Sequence, residues 1–369
     1  MTIAEFIAAF ERIVPQGARH GNDNTGMHTG DARDEIKGIL VAHEMDVSIV
    51  DEVVKKQCNF VLCYHPLVFT PLQRVVADDP VGLILLRLAE KRIALFVVHT
   101  NFDSVPGGTS FLLADKLGLH NCRFLAPLAQ SIVKIAVYAP PESLEAIAGA
   151  MWDAGAGTIG DYNDCSFHTE GIGTFRGNDS ANPAIGKKNV GERVNETRLE
   201  MTSPRWRLKA VLRALIAAHP YEEPAYDVFP AENESRNYGM GTVGELKEAE
   251  RLSEFVERVK QVCNIPAVRY TGAPRARIRR VAILCGSGGN FLQDAIGSGA
   301  DAFITGDVRY HTFREARGAI ALIDAGHAET ERFVAGELAG IVRGVLGSQN
   351  YSHICVLQSI KNTNPIIYA

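Results

Sequence analysis

Blocks of apolar residues alternate with amphipathic segments in the first third of the chain. Residues 38–41, 60–63 and 93–98 are short runs built almost entirely from apolar side chains. Between them, residues 47–56 and 81–91 repeat apolar positions at helical spacing. Strands without a polar face are typical of a parallel sheet that helices cover on both sides. The pattern therefore predicts an α/β fold for this part of the chain.

The same alternation returns in the last third. Residues 281–284, 302–305 and 319–323 are further apolar runs, and residues 353–357 have the pattern of a closing strand. Residues 334–345 place apolar side chains at every third or fourth position, which predicts a helix. We therefore expect two mainly parallel α/β halves that together form one core. The side chains described below predict that this core binds metal.

The middle of the chain has a different composition. Residues 155–200 are rich in Gly, Asn, Asp, Ser and Thr and show little periodicity. A predicted strand and helix precede this stretch, and a helix and strand follow it, an order that suits a small ferredoxin-like α+β domain. We therefore expect an inserted domain at residues 129–232, between core halves at residues 1–128 and 233–369.

Histidines and carboxylates are concentrated just after three of the predicted strands. His65 follows the second strand, His99 and Asp103 follow the third, and His327 and Glu331 follow a strand of the second half. In open α/β sheets, ligand sites form beyond the carboxyl ends of the strands, where loops from distant segments converge. We therefore expect these side chains to meet at one point.

His327 and Glu331 are four residues apart at the start of the last predicted helix, so they share one face of that helix. Imidazole together with carboxylate suits zinc, iron or manganese better than calcium. A carboxylate can also bridge two ions, as it does in many hydrolytic sites. The pattern predicts a site for one or two divalent metal ions.

Each of these segments has an ordinary explanation when it is taken alone. His65 before Pro66 is typical of a loop histidine. Asp103 could be a turn or cap residue, and His327 with Glu331 could be a surface helical pair. Only the coincidence of all three segments favours a metal site over these alternatives.

Two other features carry weaker signals. The segment Gly286-Ser287-Gly288 follows a predicted strand and could offer backbone N–H groups to an anion, although the same glycines would also serve a tight turn. His311 could line the cleft of the metal site, and Asp307 could either do the same or cap the following helix.

Composition excludes several classes of protein. The net charge of −5 gives no reason to expect nucleic-acid binding, and no apolar stretch has the length of a membrane span. Glu5 and Glu11 interrupt the N-terminal apolar pattern, which is helical rather than that of a signal peptide. The seven cysteines are scattered and never form a C-x-x-C pair, which fits a reducing compartment. We therefore expect a cytoplasmic protein.

Motifs in the same order along nearly the whole chain resemble a known family. Residues 64–69 (Tyr-His-Pro-Leu-Val-Phe) are similar to its His-His-Pro-Leu-Ile-Phe motif, and residues 99–103 (His-Thr-Asn-Phe-Asp) to its His-Thr-Asn-x-Asp motif. Further matches lie at residues 23–27, 241–246, 305–311 and 324–331. The family is that of the dinuclear metal-centre hexameric proteins, also labelled GTP cyclohydrolase I type 2 homologues. The central insert resembles the PII/CutA-like domain of its longer members.

The resemblance implies metal ligands at His65, Asp103, His327 and Glu331, in a toroidal homohexamer. Tyr64 departs from the family motif, which has a histidine at this position. A phenol has an unperturbed pKa of about 10 and binds a metal only when it is deprotonated. Tyr64 would therefore join the ligands only as a phenolate, and we expect one ion to bind tightly and a second ion to bind weakly or not at all.

The leading hypothesis for function is a metal-dependent hydrolase acting on a nucleotide-like or phosphorylated small molecule, with His99 or His311 as general base or outer-shell group. The alternative is a non-enzymatic metal-binding or regulatory scaffold. Turnover of a nucleotide in the presence of metal would favour the first hypothesis. Tight metal binding without turnover would favour the second.

Overall fold

Strands and helices alternate along most of the chain, which a computed structural model describes from residue 1 to residue 369. The strands are β1 Gly26–Thr29, β2 Gly38–Ala42, β3 Phe60–Cys63, β4 Ala94–Val97, β5 Leu119–Pro127, β6 Ile132–Ala139, β7 Phe167–Phe175, β8 Glu192–Pro204, β9 Tyr226–Pro230, β10 Gly239–Arg251, β11 Arg269–Tyr270, β12 Arg277–Ile283, β13 Ala302–Thr305, β14 Ala321–Asp324 and β15 Cys355–Gln358. The helices are α1 Ile3–Phe10, α2 Val47–Lys55, α3 Pro80–Glu90, α4 Thr100–Asp103, α5 Thr109–Lys116, α6 Leu144–Asp153, α7 Leu208–Ala218, α8 Leu252–Cys263, α9 Leu292–Gly297, α10 Tyr310–Ala316, α11 His327–Thr330 and α12 Val334–Ser348. Met1–Pro127 and Tyr238–Ala369 form one unit, and Leu128–Asn237 form a second.

The first sheet of the larger unit has the strand order β1-β4-β3-β2-β15. Four of its strands run parallel, and only the edge strand β1 is antiparallel. Neighbouring residues of β2 point to opposite faces, as a strand requires. Ile39 packs into a core with α1 and α12, whereas Leu40 packs into a core with α2 and α3. The α/β fold that the apolar runs predicted is confirmed.

The second sheet has the order β11-β14-β13-β12-β10-β5 and is mixed. Only the neighbours β12, β13 and β14 are parallel, while β5, β10 and β11 pair antiparallel. The two sheets also exchange strands, because β5 comes from the N-terminal half of the sequence and β15 from its C-terminal end. The sequence halves at residues 1–128 and 233–369 therefore do not correspond one to one with the sheets.

In the N-terminal helix α1, both the capping residues and the buried apolar residues favour a helix. Thr2 and Glu5 form a capping box, in which the Glu5 N–H donates to Thr2 Oγ1 and the Thr2 N–H donates to Glu5 Oε2. Ile3, Phe6 and Phe10 share one face of the helix and are fully buried. Burying a side chain of this size contributes about 1.5–3 kcal/mol.

The smaller unit has the element order β6-α6-β7-β8-α7-β9, which is the order of a ferredoxin-like unit. Its antiparallel sheet runs β7-β8-β6-β9, and α6 and α7 contribute to its core with β6 and β8. The sequence predicted no strand at β7 or β8. Most side chains of β7 are exposed, so that strand carries no alternation of apolar and polar residues.

The last predicted helix is divided in the structure. The single turn α11 holds His327, Glu331 follows it, and α12 begins only at Val334. The Thr330 hydroxyl lies within hydrogen-bond distance of the carbonyls of Gly326 and His327, so a side chain reaches the His327 carbonyl that a continuing helix would have used. None of the helices has both the length and the apolar character needed to cross a bilayer.

Candidate metal centre

Side chains that follow strands of both sheets meet at one place in the larger unit. His43 and Glu44 follow β2, and His65 follows β3. His327 and Glu331 come from the segment after β14 in the other sheet. Two overlapping sets of ligand atoms result, His43 with Glu44 and His65, and His65 with His327 and Glu331, each with its atoms within 4.8 Å of one another. The convergence at strand ends is the one that α/β topology favours.

Three imidazoles converge on a single carboxylate oxygen, Glu331 Oε2. The Nε2 atoms of His43, His65 and His327 lie 3.0, 3.3 and 3.4 Å from it. Glu331 is only 3% exposed, so this carboxylate is surrounded by nitrogen donors rather than by water. Imidazole nitrogens around a carboxylate oxygen are a donor set that zinc, iron and manganese accept.

Two further carboxylates orient the imidazoles from outside. His65 Nδ1 lies 2.8 Å from Glu44 Oε1, and His327 Nδ1 lies 2.6 Å from Asp307 Oδ2. A carboxylate on Nδ1 fixes the tautomer that leaves the lone pair on Nε2 and makes that nitrogen a stronger ligand. Both rings therefore present Nε2 to Glu331, which is the arrangement expected of metal-ligating histidines.

The charges of the cluster support the same reading. Burial opposes ionisation of Glu331, but hydrogen bonds and charge attraction from His43, His65 and His327 outweigh it and hold its pKa well below the usual range. Burial alone would lower the pKa of His65, but Glu331 and Glu44 outweigh it and raise that pKa to about 10. Without a metal ion, a proton on His65 balances the buried carboxylate.

Tyr64 and Asp103 form a separate pair at the edge of the cluster. Tyr64 is 1% exposed, and its hydroxyl donates to Asp103 Oδ1 at 2.7 Å. Thr109 donates to the same oxygen. Burial and the negative charges of Asp103 and Glu331 raise the pKa of Tyr64 well above its ordinary value. A phenolate ligand at Tyr64, which the sequence left open, does not agree with this arrangement, because the phenol is a neutral donor.

Asp103 lines the same cavity as His65, His327 and Glu331. Its carboxylate is nevertheless not within the 4.8 Å sets of ligand atoms. Burial raises the pKa of Asp103, while electrostatic interaction with His99 and the hydrogen bonds from Thr109 and Tyr64 act in the opposite direction. The structure thus brings together three of the four predicted ligands, His65, His327 and Glu331. The fourth, Asp103, lies beside them and accepts hydrogen bonds from the hydroxyls of Tyr64 and Thr109.

His99 is held in the cavity wall by Asp23. His99 Nδ1 lies 2.8 Å from Asp23 Oδ2, and the same oxygen accepts from the backbone N–H and the hydroxyl of Thr100. Burial opposes the charge on Asp23, but these contacts lower its pKa to about 2. With Nδ1 occupied, Nε2 is the nitrogen that His99 can offer to a molecule in the cavity.

The cavity beside the cluster has a volume of about 560 Å³. Besides the ligand side chains, its wall includes Phe69, Met240 and Ser287. The C-terminal segment passes over it, since Asn364 and Ile366 also line the cavity, and Asn364 Nδ2 donates to Glu329 Oε1 at 2.9 Å. The cluster therefore opens into a pocket of the size that a small molecule needs.

The glycine loop after β12 is a tight turn that packs directly against the cluster. The Gly286 and Gly288 N–H groups donate to the hydroxyls of Thr330 and Thr305, so these two groups are not offered to an anion. Gly286 has a φ of +67°, and a Cβ there would collide with Glu331 Oε1 and lie 3.3 Å from His327 Nε2. Glycine is required here for both conformation and close approach.

His311 does not join the site. It lies on α10 with its side chain exposed, and it does not line the cavity. The expectation that His311 faces the cleft is therefore not met. Asp307 does reach the site, as the partner of His327.

Comparisons with known proteins agree with the fold and the motifs. A family model described as Duf34/NIF3 (NGG1p interacting factor 3) matches residues 1–365. The chain belongs to the Duf34/NIF3 family. A relative from Halalkalibacterium halodurans named "GTP cyclohydrolase 1 type 2 homolog" is 33% identical over 98% of this chain and 97% of its own length. A relative from Mycobacterium tuberculosis with the same name is 35% identical over 96% of this chain and 95% of its own length. A solved structure described as a Bacillus cereus protein related to NIF3 has a TM-score of 0.85 and 32% identity, and covers 100% of this chain and 99% of that one.

In this Duf34/NIF3 chain, the sequence did not predict His43, Glu44 or Asp23 at the site, and it predicted Asp307 only as lining the cleft or capping a helix. His43 and Glu44 directly follow the buried strand β2, as His65 follows β3, so the rule that found His65 would have found them too. Asp307 and Asp23 were noted in motifs but not as partners of histidines. Nothing in the sequence says which carboxylate will meet which imidazole, because the partners are 20 and 76 residues apart.

Proposed function

We propose that this chain binds divalent metal ions at His65, His327 and Glu331 and uses them to hydrolyse a small phosphorylated or nucleotide-like molecule. The observation that carries the proposal is the convergence of imidazole Nε2 atoms on Glu331 Oε2 at one side of the cavity. A buried carboxylate among histidines, two of them held by outer carboxylates, is the arrangement by which proteins bind catalytic transition metals.

The lining of the cavity suits such a substrate. A volume of about 560 Å³ is within the range of small-molecule sites. Phe69 and Met240 offer apolar surface to a flat ring, and the metal side of the pocket attracts negatively charged oxygens. The phosphate of a nucleotide would therefore be drawn to the cluster while its base packs on the apolar wall.

The protein contributes proton transfer and orientation. A bound divalent ion lowers the pKa of a water molecule and polarises a phosphoryl or carbonyl oxygen. His99 offers Nε2 to the cavity and accepts the proton from the attacking water. Asp23, which stays ionised because its pKa is lowered to about 2, holds the ring through Nδ1 and stabilises the imidazolium that forms. His311, which is exposed, has no role in this proposal.

A panel of candidate substrates tests the proposal. Metal-free protein is reconstituted with zinc, manganese or iron and incubated with nucleoside triphosphates and simple phosphate esters, and products are separated by chromatography. The name that the relatives carry places GTP in the panel. Glu331→Gln and His99→Gln should abolish turnover, and His353→Gln, a change at an exposed histidine, should not.

The outcome separates the two candidate functions. Turnover that requires both the metal and Glu331 supports the hydrolase. Tight metal binding with no turnover on any member of the panel would instead support a non-enzymatic metal-binding or regulatory scaffold. Failure of the wild-type protein to bind any of the three metals would contradict both.

Assembly is part of the same proposal. Since the motifs resemble those of hexameric proteins, we expect a homohexamer with closed symmetry. Light scattering should then give six times the chain mass of 40.1 kDa. A stable monomer at micromolar concentration would contradict this expectation.

A further inference from the structure

Tyr64 stands where the family motif has a histidine, and the structure shows what this change does to the site. Its hydroxyl is committed to Asp103 Oδ1, which Thr109 also reaches. The side of the cluster that faces Tyr64 and Asp103 therefore contains a closed set of hydroxyl-to-carboxylate hydrogen bonds, and position 64 supplies no imidazole donor. A second ion on this side would have to break that set.

His43 provides an imidazole on the other side of the same cluster. Its ring stacks on the Tyr64 ring, with centroids 5.5 Å apart and an interplanar angle of 21°. Its Nε2 lies 3.0 Å from Glu331 Oε2, the closest of the three imidazole contacts to that oxygen. The ring is thus fixed by stacking on one face and aimed at the carboxylate that the other two histidines share.

Glu44 completes a second set of donors. Its ligand atom and those of His43 and His65 lie within 4.8 Å of one another, in a set that overlaps the one formed by His65, His327 and Glu331. Glu331 contacts histidines of both sets, and a carboxylate with two oxygens can serve two neighbouring ions. The two sets are therefore placed as adjacent cation positions.

We infer that the second cation position of this chain is bounded by His43, Glu44 and the shared Glu331, in place of a position at Tyr64 and Asp103. The inference deepens the proposed metal-binding function and rests on it. It revises the expectation, drawn from Tyr64 alone, that the second ion binds weakly. In this chain His43 replaces the histidine that the family motif has at position 64, and the Tyr64 ring positions His43 by stacking against it.

A simpler role for His43 makes a different prediction. If His43 served only as a hydrogen-bond donor to the buried Glu331, its loss would affect folding stability without changing the number of ions or of bound imidazoles. The two roles can therefore be separated by counting ions and ligands rather than by measuring activity.

The experiment compares the wild-type protein with four variants by zinc titration against a competing chelator and by zinc X-ray absorption, which counts coordinated imidazoles. The variants are His43→Ala, Tyr64→Phe, the double variant His43→Ala with Tyr64→His, and the control His353→Ala. Circular dichroism and melting curves show that each variant is folded.

Wild type, Tyr64→Phe and the control should each bind two zinc ions per chain. His43→Ala should lose the second ion, and the affinity for that ion should fall by at least about 100-fold. Loss of an outer-shell residue reduces metal affinity by about 10–100-fold, so a larger loss indicates a ligand. The double variant should recover the second ion, because it restores an imidazole at position 64, next to Asp103.

Other results would overturn the inference. A folded His43→Ala protein that keeps two zinc ions and an unchanged imidazole count would show that His43 is not a ligand. A single ion in the wild-type protein would show that the second position does not exist. These outcomes leave the proposed function intact, whereas a wild-type protein that binds no zinc, manganese or iron would contradict the proposed function itself.

Discussion

His327 Nδ1 lies 2.6 Å from Asp307 Oδ2, across the gap between the segments that follow β14 and β13. Asp307 has a positive φ of 53°, a conformation that costs free energy in a residue other than glycine. The chain adopts it at the point where the carboxylate reaches a histidine of the metal cluster. The contact orients His327 and makes its Nε2 a better donor.

The first prediction follows from this contact. Asp307→Asn should lower metal affinity by about 10–100-fold, because an amide orients the His327 ring less firmly and lacks the negative charge of the carboxylate. Chelator competition measures the change. Asp294→Asn, at an exposed residue of α9, is the matched control and should bind as tightly as wild type. Equal affinity in Asp307→Asn would mean that Asp307 does not support the ligand.

The second prediction concerns protons. Because contacts with Glu331 and Glu44 outweigh burial and raise the pKa of His65 to about 10, the metal-free protein carries a proton there at pH 8. A ligating imidazole must be neutral, so binding releases this proton and affinity rises about tenfold per pH unit below that pKa.

Calorimetry at pH 8 in buffers with different enthalpies of ionisation measures the released protons directly. Glu44→Gln removes one of the two carboxylates that raise the pKa of His65 and should reduce the number released. Binding heats that do not depend on the buffer would contradict the protonated state of His65.

The third prediction tests close packing against the cluster. Gly286→Ala should reduce metal binding strongly, since the new Cβ would collide with Glu331 Oε1. Gly118→Ala is the matched control, because Gly118 has a similar φ of +73° but nothing within 4 Å of its Cβ position. Both changes carry the backbone cost of about 1–2 kcal/mol for this conformation. Only Gly286→Ala should lose metal, and equal metal content in both variants would refute the role given to the contact.

The fourth prediction concerns residues 128–237. Pro127 and Gly239 are direct partners across the antiparallel pair β5 and β10, so the insert leaves and re-enters at the tip of a hairpin. Replacing residues 128–237 by Asn-Gly leaves a three-residue loop that ends with Tyr238, a length at which hairpins close readily. The shortened protein should remain folded and bind the same number of ions by calorimetry. An aggregated or metal-free product would show that the larger unit depends on the insert.

The sequence was sufficient for those features that a local pattern encodes. Apolar runs predicted β2, β3 and β4, because strands buried on both faces have no polar positions. His65 was found because it follows such a strand. His43 obeys the same rule, but it also lies in the short turn between β2 and α2, where Asp46 caps the helix, and such a turn is sufficient to explain the segment.

Other features depend on partners that no local pattern names. The exposed strand β7 lacks alternation of apolar and polar residues. It lies within a Gly-rich and Asn-rich stretch, so the sequence pattern did not predict it. The bond from Tyr64 to Asp103 joins residues 39 positions apart, and it decides that the phenol is a donor rather than a ligand. Such pairings are set by the way the sheets assemble, which sequence spacing does not encode.

The pairing of β15 with β2 has a consequence for biosynthesis. Cys355 lies opposite Gly38 in the parallel ladder, so β2 gains this neighbour only when the much later strand β15 has been made. Contacts this distant along the chain form slowly, and an incomplete chain exposes the edge of β2 to other molecules. His43, which directly follows β2, therefore gains its final surroundings only after β15 has been made. We therefore expect a truncation before residue 355 to reduce metal uptake, although it leaves every proposed ligand in the sequence.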